Sequence, residues 1–81
     1  MDGTVLSEDK LLDCSGMLCP LPIIKVSKEV KAMQLGQVLK MIATDPGSMA
    51  DMEAWARQTG NELLDARQDG KTYTFFIRKK K

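Results

Sequence analysis

Apolar and polar residues alternate along this chain with two different periods, and the changes of period mark out six elements. Lys10-Leu11-Leu12-Asp13-Cys14 is a short strand-like run that stops at Ser15-Gly16, a turn signal. Ile23, Val26, Val30 and Met33 then recur at spacings of three, four and three, which predicts an amphipathic helix with Lys25, Lys28 and Lys31 on its wet side. Cys19-Pro20-Leu21-Pro22 opens this helix, because proline is tolerated where the N–H groups lack intrahelical partners, and Gly36 closes it. Val38 to Thr44 is too short and too apolar for a lone surface helix and reads as an interior strand.

Asp45-Pro46 has the form of an N-cap followed by proline at the first helical position, and Ser48 with Asp51 offers a weaker capping pair. The second helix carries Met49, Met52, Trp55 and Ala56 inward and stops at Gly60. Asn61 to Arg67 and Thr72 to Arg78 are two further strands. Gln68-Asp69-Gly70-Lys71 joins them as a tight hairpin in which Asp-Gly supplies positive φ angles. In the last strand Tyr73, Phe75 and Ile77 alternate with Thr72, Thr74 and Phe76.

The predicted order is therefore β-α-β-α-β-β, an α/β (α+β) two-layer sandwich. Both apolar stripes need one surface to cover, which places the two helices on one face of a four-stranded mixed sheet with a right-handed parallel opening crossover. With 81 residues the chain makes one domain, 1–81, with a folded core of about residues 8–79.

Composition mainly removes function classes. There is no histidine, so the commonest general base and metal ligand is missing, and two cysteines are too few for a structural zinc site. The net charge of +1 gives no global reason for direct nucleic-acid binding. No apolar run reaches the roughly 18 residues that span a bilayer. Asp2, Glu8 and Asp9 occupy the stretch where a basic apolar leader would lie, so a reducing cytoplasm is expected, with cysteine kept for reactivity or packing. Charge is nonetheless uneven: residues 14–40 hold four lysines against one glutamate, and residues 70–81 hold five basic side chains and no acid. That pattern reads as solvation plus a soluble basic tail, or as a positive rim around the first helix that docks acidic partners.

Cys19 is the candidate for chemistry. It falls at or just before the helix N-terminus, where unpaired N–H groups and the macrodipole favour a thiolate. Pro20 and Pro22 fix the backbone but remove two donors, leaving the N–H groups of Leu21 and Ile23 as the nearest ones. Such a thiolate is favoured without being heavily hydrogen-bonded and so stays nucleophilic. Cys14 shares the Leu12 side of its strand, which suits packing, although four intervening residues also permit a Cys14–Cys19 disulfide in a redox or regulatory module. Met17 beside Cys19 raises soft Cu(I) ligation, but six methionines on helix stripes and turns are better explained as core filling. Gly16 serves the turn.

Leu12-Asp13-Cys14-Ser15-Gly16-Met17-Leu18-Cys19-Pro20-Leu21-Pro22 resembles the signature of the TusA/SirA-like sulfur-carrier family: Asp, a turn glycine, then Cys-Pro-x-Pro opening a helix. The likeness continues through Gly36, Asp45-Pro46, Asp51, Gly60-x-Glu62-Leu63 and the closing hairpin. It implies that Cys19 takes sulfane sulfur as a persulfide and hands it to a partner, with Gly16, Pro20 and Pro22 as scaffold and with no metal or cofactor. The implied donor is a cysteine desulfurase or rhodanese-type enzyme, and the implied acceptor a DsrE-like or other cysteine-bearing carrier. Lys25, Lys28 and Lys31 are candidate docking residues on a monomer. Outlets in such a family include tRNA thiolation, cofactor assembly and sulfur oxidation. Many members of such a family have Arg where this chain has Ser15, and its tRNA-thiolation members carry a second Cys where this chain has Ala56.

Overall fold

The computed structural model describes residues 8–18 and 20–81. Its elements are β1 (Lys10–Cys14), α1 (Leu21–Ala32), β2 (Val38–Ala43), α2 (Ser48–Thr59), β3 (Glu62–Asp69) and β4 (Thr72–Arg78), in the expected β-α-β-α-β-β order. The four strands form one sheet in the order β1-β2-β4-β3. β1 runs parallel to β2, with Cys14 opposite Ala43, while β2–β4 and β3–β4 are antiparallel, so the sheet is mixed.

Period two decides which side chains meet the helices. Leu39, Met41 and Ala43 of β2 and Tyr73, Phe75 and Ile77 of β4 point into one core with Cys14 of β1. Val26, Val30 and Met33 from the first helix segment and Met52, Trp55 and Ala56 from α2 close it from above. Phe75, Leu39, Met41, Met52, Ile77 and Val26 are fully buried. At about 1.5–3 kcal/mol for each large apolar side chain removed from water, this single layer of contacts dominates stability. Trp55 Nε1 donates to Ser27 Oγ at 2.9 Å and ties α2 to α1. On the opposite sheet face Phe76 is only 8% exposed, with the Lys40 ammonium 5.9 Å from its ring centre.

Four local expectations are corrected. α1 ends at Ala32 with Met33 as an extended C-cap, and Gly36 (φ 89°) instead turns the chain toward β2. α2 begins at Ser48, not at Pro46. Asp45, Pro46 and Gly47 form a turn closed by the Ser48 N–H on the Asp45 carbonyl, and no side chain caps the helix. The β3–β4 loop is Gly70-Lys71, since Asp69 already pairs with Thr72, and only Gly70 has positive φ (62°), the pattern of a turn with glycine first. Finally, the basic C-terminal residues are built in. Lys79 exchanges backbone hydrogen bonds with Gly36 (2.8 Å) and Gln37 (2.9 Å), and Asn61 Oδ1 accepts the N–H groups of Lys80 and Lys81.

Candidate functional site

Parallel pairing of β1 with β2 sends both strands out of the sheet at the same end, so the β1–α1 and β2–α2 loops are neighbours. The first is heavily constrained. Asp13 Oδ1 accepts the Ser15 N–H at 2.9 Å, and the Met17 N–H donates to the Cys14 carbonyl at 3.1 Å. The Ser15 hydroxyl and N–H beside Asp13 hold its carboxyl below the usual carboxylate range. Gly16 takes φ 79°, which its side-chain-free backbone accepts at no cost, and its N–H donates to Thr44 Oγ1 at 2.8 Å. That bond joins the two loops. Thr44 was not visible as a site residue in the sequence, because nothing local says that a threonine just after β2 reaches a glycine 28 positions away.

Cys19 lies outside the described residues, between Leu18 and Pro20, which are described. Pro20 is the N-cap of α1 and Pro22 the second residue inside it, so in the sequence Cys19 directly precedes the N-cap residue. The Leu21 N–H, one of the two donors expected near the sulfur, is committed to the Leu18 carbonyl at 3.0 Å. Proline at the cap leaves no side-chain hydrogen bond there.

Cys14 stands differently. It is a free thiol with no solvent exposure, packed in the core at the end of β1. Burial pushes its pKa up; the Lys25 ammonium opposes this, and Asp13 adds a smaller upward contribution. A thiol that is both enclosed and held protonated is a poor nucleophile.

The three lysines do not act as one stripe. At about 100° per residue, a spacing of three drifts by about 60° at each step, so Lys25 and Lys31 lie about 120° apart around the helix. Lys25 and Lys28 line a groove with Leu21, Ile24 and Glu29. Lys31 instead borders a second groove, with Ser27, Trp55, Thr59, Asn61 and Lys81, toward the other end of the molecule. Leu21 and Ile24 are each 51% exposed and Leu18 is 69% exposed. Their signal was present in the sequence as apolar residues lying off the Val26–Val30 stripe. Among the described residues no group of three His, Cys, Asp or Glu is placed to hold a metal ion, and no helix is long and apolar enough to cross a membrane.

Comparison with known proteins bears on what this arrangement carries. The family described as "Sulfurtransferase TusA" matches residues 10–79. The chain is 52% identical over 71 residues to the sulfur carrier protein TusA of Allochromatium vinosum, covering 88% of this chain and 93% of that one. It is 40% identical over 77 residues to the sulfur carrier protein TusA of Pseudomonas entomophila, covering 95% and 96%. Its fold is similar to the crystal structure of a SirA-like protein from Desulfitobacterium hafniense, with a TM-score of 0.76 at 19% identity over 89% of this chain and 99% of that one. A match through every strand and helix, at half-identity to a carrier of nearly the same length, leads to one conclusion: this chain belongs to the TusA family, and its role is that of a sulfur carrier.

Proposed function

We propose that the chain works as a single TusA-like domain, residues 1–81, in which Cys19 is the sulfur-bearing residue and the cargo travels as a persulfide. The observation that carries this reading is the contrast between the two cysteines of a sulfur-carrier family member. Cys14 is sealed in the core with its thiol held protonated, whereas Cys19 immediately precedes the N-cap of the 12-residue helix α1. A helix N-terminus stabilises an anion by roughly 0.3–1 kcal/mol when exposed, enough to bias a thiol toward thiolate. Gly16 and Pro20 act as scaffold, one by a bond to Thr44 and the other by its fixed φ.

The transfer is thiol–persulfide exchange. The Cys19 thiolate attacks the terminal sulfur of a donor persulfide, an S–S bond forms to Cys19, and the donor cysteine leaves as a thiolate. An acceptor thiolate then attacks the same terminal sulfur and Cys19 leaves. No net oxidation occurs, so no cofactor is required. The donor fits a cysteine desulfurase or a rhodanese-type enzyme, the acceptor a DsrE-like or other cysteine-bearing carrier, and the setting a reducing cytoplasm. Partner dependence of this kind makes the protein a sulfurtransferase by relay. Mass spectrometry of the freshly purified, unreduced protein tests it: one extra sulfur atom is expected on the peptide holding Cys19, and Cys19→Ser should abolish loading by a desulfurase with cysteine. Loading that survives Cys19→Ser would refute the assignment.

A further inference from the structure

The outward side of α1 is not polar as a solvated helix face should be. At about 100° per residue, Ile24, Lys28, Leu21 and Lys25 fall within an arc of about 100°, on the side away from the buried Val26 and Val30. With Glu29 they line a groove of about 220 Å³, and the exposed Leu18 extends the apolar surface to the residue before Cys19. Glu29 is paired with Lys10 at 3.6 Å, while neither Lys25 nor Lys28 has an ion-pair partner among the described residues. The unmatched charge of the groove is therefore two ammonium groups beside half-exposed aliphatic side chains.

We infer that this groove seats the protein partner in sulfur transfer, and that the partner presents an aliphatic side chain flanked by carboxylates. The inference rests on the persulfide reading above. Aliphatic residues exclude water from the centre of a contact, and the lysines at its edge select an acidic surface and speed encounter. A second copy of the chain fits poorly, because a two-fold contact through this face would bring four ammonium groups together. Nucleic acid fits poorly too, since the groove offers leucine and isoleucine where base stacking needs aromatic faces. Lys31, on the other flank of α1, is outside the groove and serves as a charge-reversal control.

The experiment loads Cys19 by two routes. Inorganic polysulfide needs no docking; a cysteine desulfurase with cysteine, or a rhodanese with thiosulfate, does. Ile24→Ala, Ile24→Asp and the Lys25→Glu/Lys28→Glu pair should each lower the second-order rate of protein-mediated loading. About tenfold is expected for Ile24→Asp, the change that follows from losing one well-packed contact. Lys31→Glu should stay within about twofold of the parent at physiological salt, as expected for a charge outside the contact. Normalising each rate to the polysulfide rate of the same variant removes any effect on the sulfur itself. Three results would overturn the inference: normalised rates unchanged in both Ile24 variants, an equal loss in Lys31→Glu, or a dimer by sedimentation that Ile24→Asp dissociates. Binding of tRNA that these substitutions weaken would replace it with a nucleic-acid surface. Failure of the parent protein to load with polysulfide would instead sink the persulfide reading, leaving the two outcomes separable.

Discussion

Replacing Cys14 by serine separates a one-thiol carrier from a dithiol device. The side chain is fully buried at the end of β1, so the substitution exchanges an enclosed thiol for an enclosed hydroxyl of similar shape. Burying a hydroxyl without a hydrogen-bond partner costs about 1–3 kcal/mol. For a chain of this size each kcal/mol lowers the melting temperature by about 4–8 °C, so a mid-range 2 kcal/mol predicts a drop of about 8–16 °C. Function should survive that loss. Even from a stability of about 5 kcal/mol, the remaining 3 kcal/mol keeps the unfolded fraction below about 1% at 25 °C. The assay pairs a thermal melt with desulfurase loading read by mass spectrometry. Cys14→Ser should melt early and load at the parental rate, and Cys14 should resist alkylation until the protein unfolds. If folded Cys14→Ser loads as poorly as Cys19→Ser, the buried thiol takes part in the chemistry and the one-thiol reasoning is wrong.

The same residue sets a pH dependence. Its thiol is raised by burial, so the folded state keeps a proton that the unfolded chain releases near pH 8.5. Its contribution is whole below that value and is lost as pH rises toward the folded pKa, so the urea midpoint should fall more steeply above about pH 8.5 in the parent than in Cys14→Ala. Lys79 Nζ donates to the carbonyls of Met33 (2.8 Å) and Lys31 (3.2 Å) at the end of α1. Lys79→Met should cost about 1 kcal/mol and lower the melting temperature by about 4–8 °C, whereas Lys80→Met, which leaves the backbone bond to Asn61 intact, should not. The Ser48 hydroxyl is buried with no partner among the described residues, so Ser48→Ala should hold or raise the melting temperature; a fall of several degrees would show that the hydroxyl is satisfied in solution.

Much of this was readable from residue order alone. The Ile23–Met33 stripe, the apolar Val38–Thr44 run and the Tyr73/Phe75/Ile77 alternation each encode a period, and a period is a property of neighbours along the chain. The errors fell where two local signals competed. Asp45-Pro46 has the chemistry of a helix start, yet Asp45 spends it on a turn, accepting the Ser48 N–H at its carbonyl and the Gly47 N–H at its carboxylate, and the helix begins later. Asp69-Gly70 has the chemistry of a two-residue turn, but pairing of Asp69 with Thr72 shifts the loop by one position. The terminal lysines read as a tail because the partners that hold them, Gly36, Gln37 and Asn61, are distant in the chain.

Residue order alone sufficed for the element types, the two-layer arrangement and the family, since each rests on spacing or on a contiguous motif. The folded molecule was needed to enclose Cys14, to bolt Gly16 to Thr44, and to divide Lys25 and Lys28 from Lys31 across two grooves. Those outcomes depend on which elements become neighbours, and helical rotation and sheet pairing set that in three dimensions, where distance along the chain no longer measures proximity.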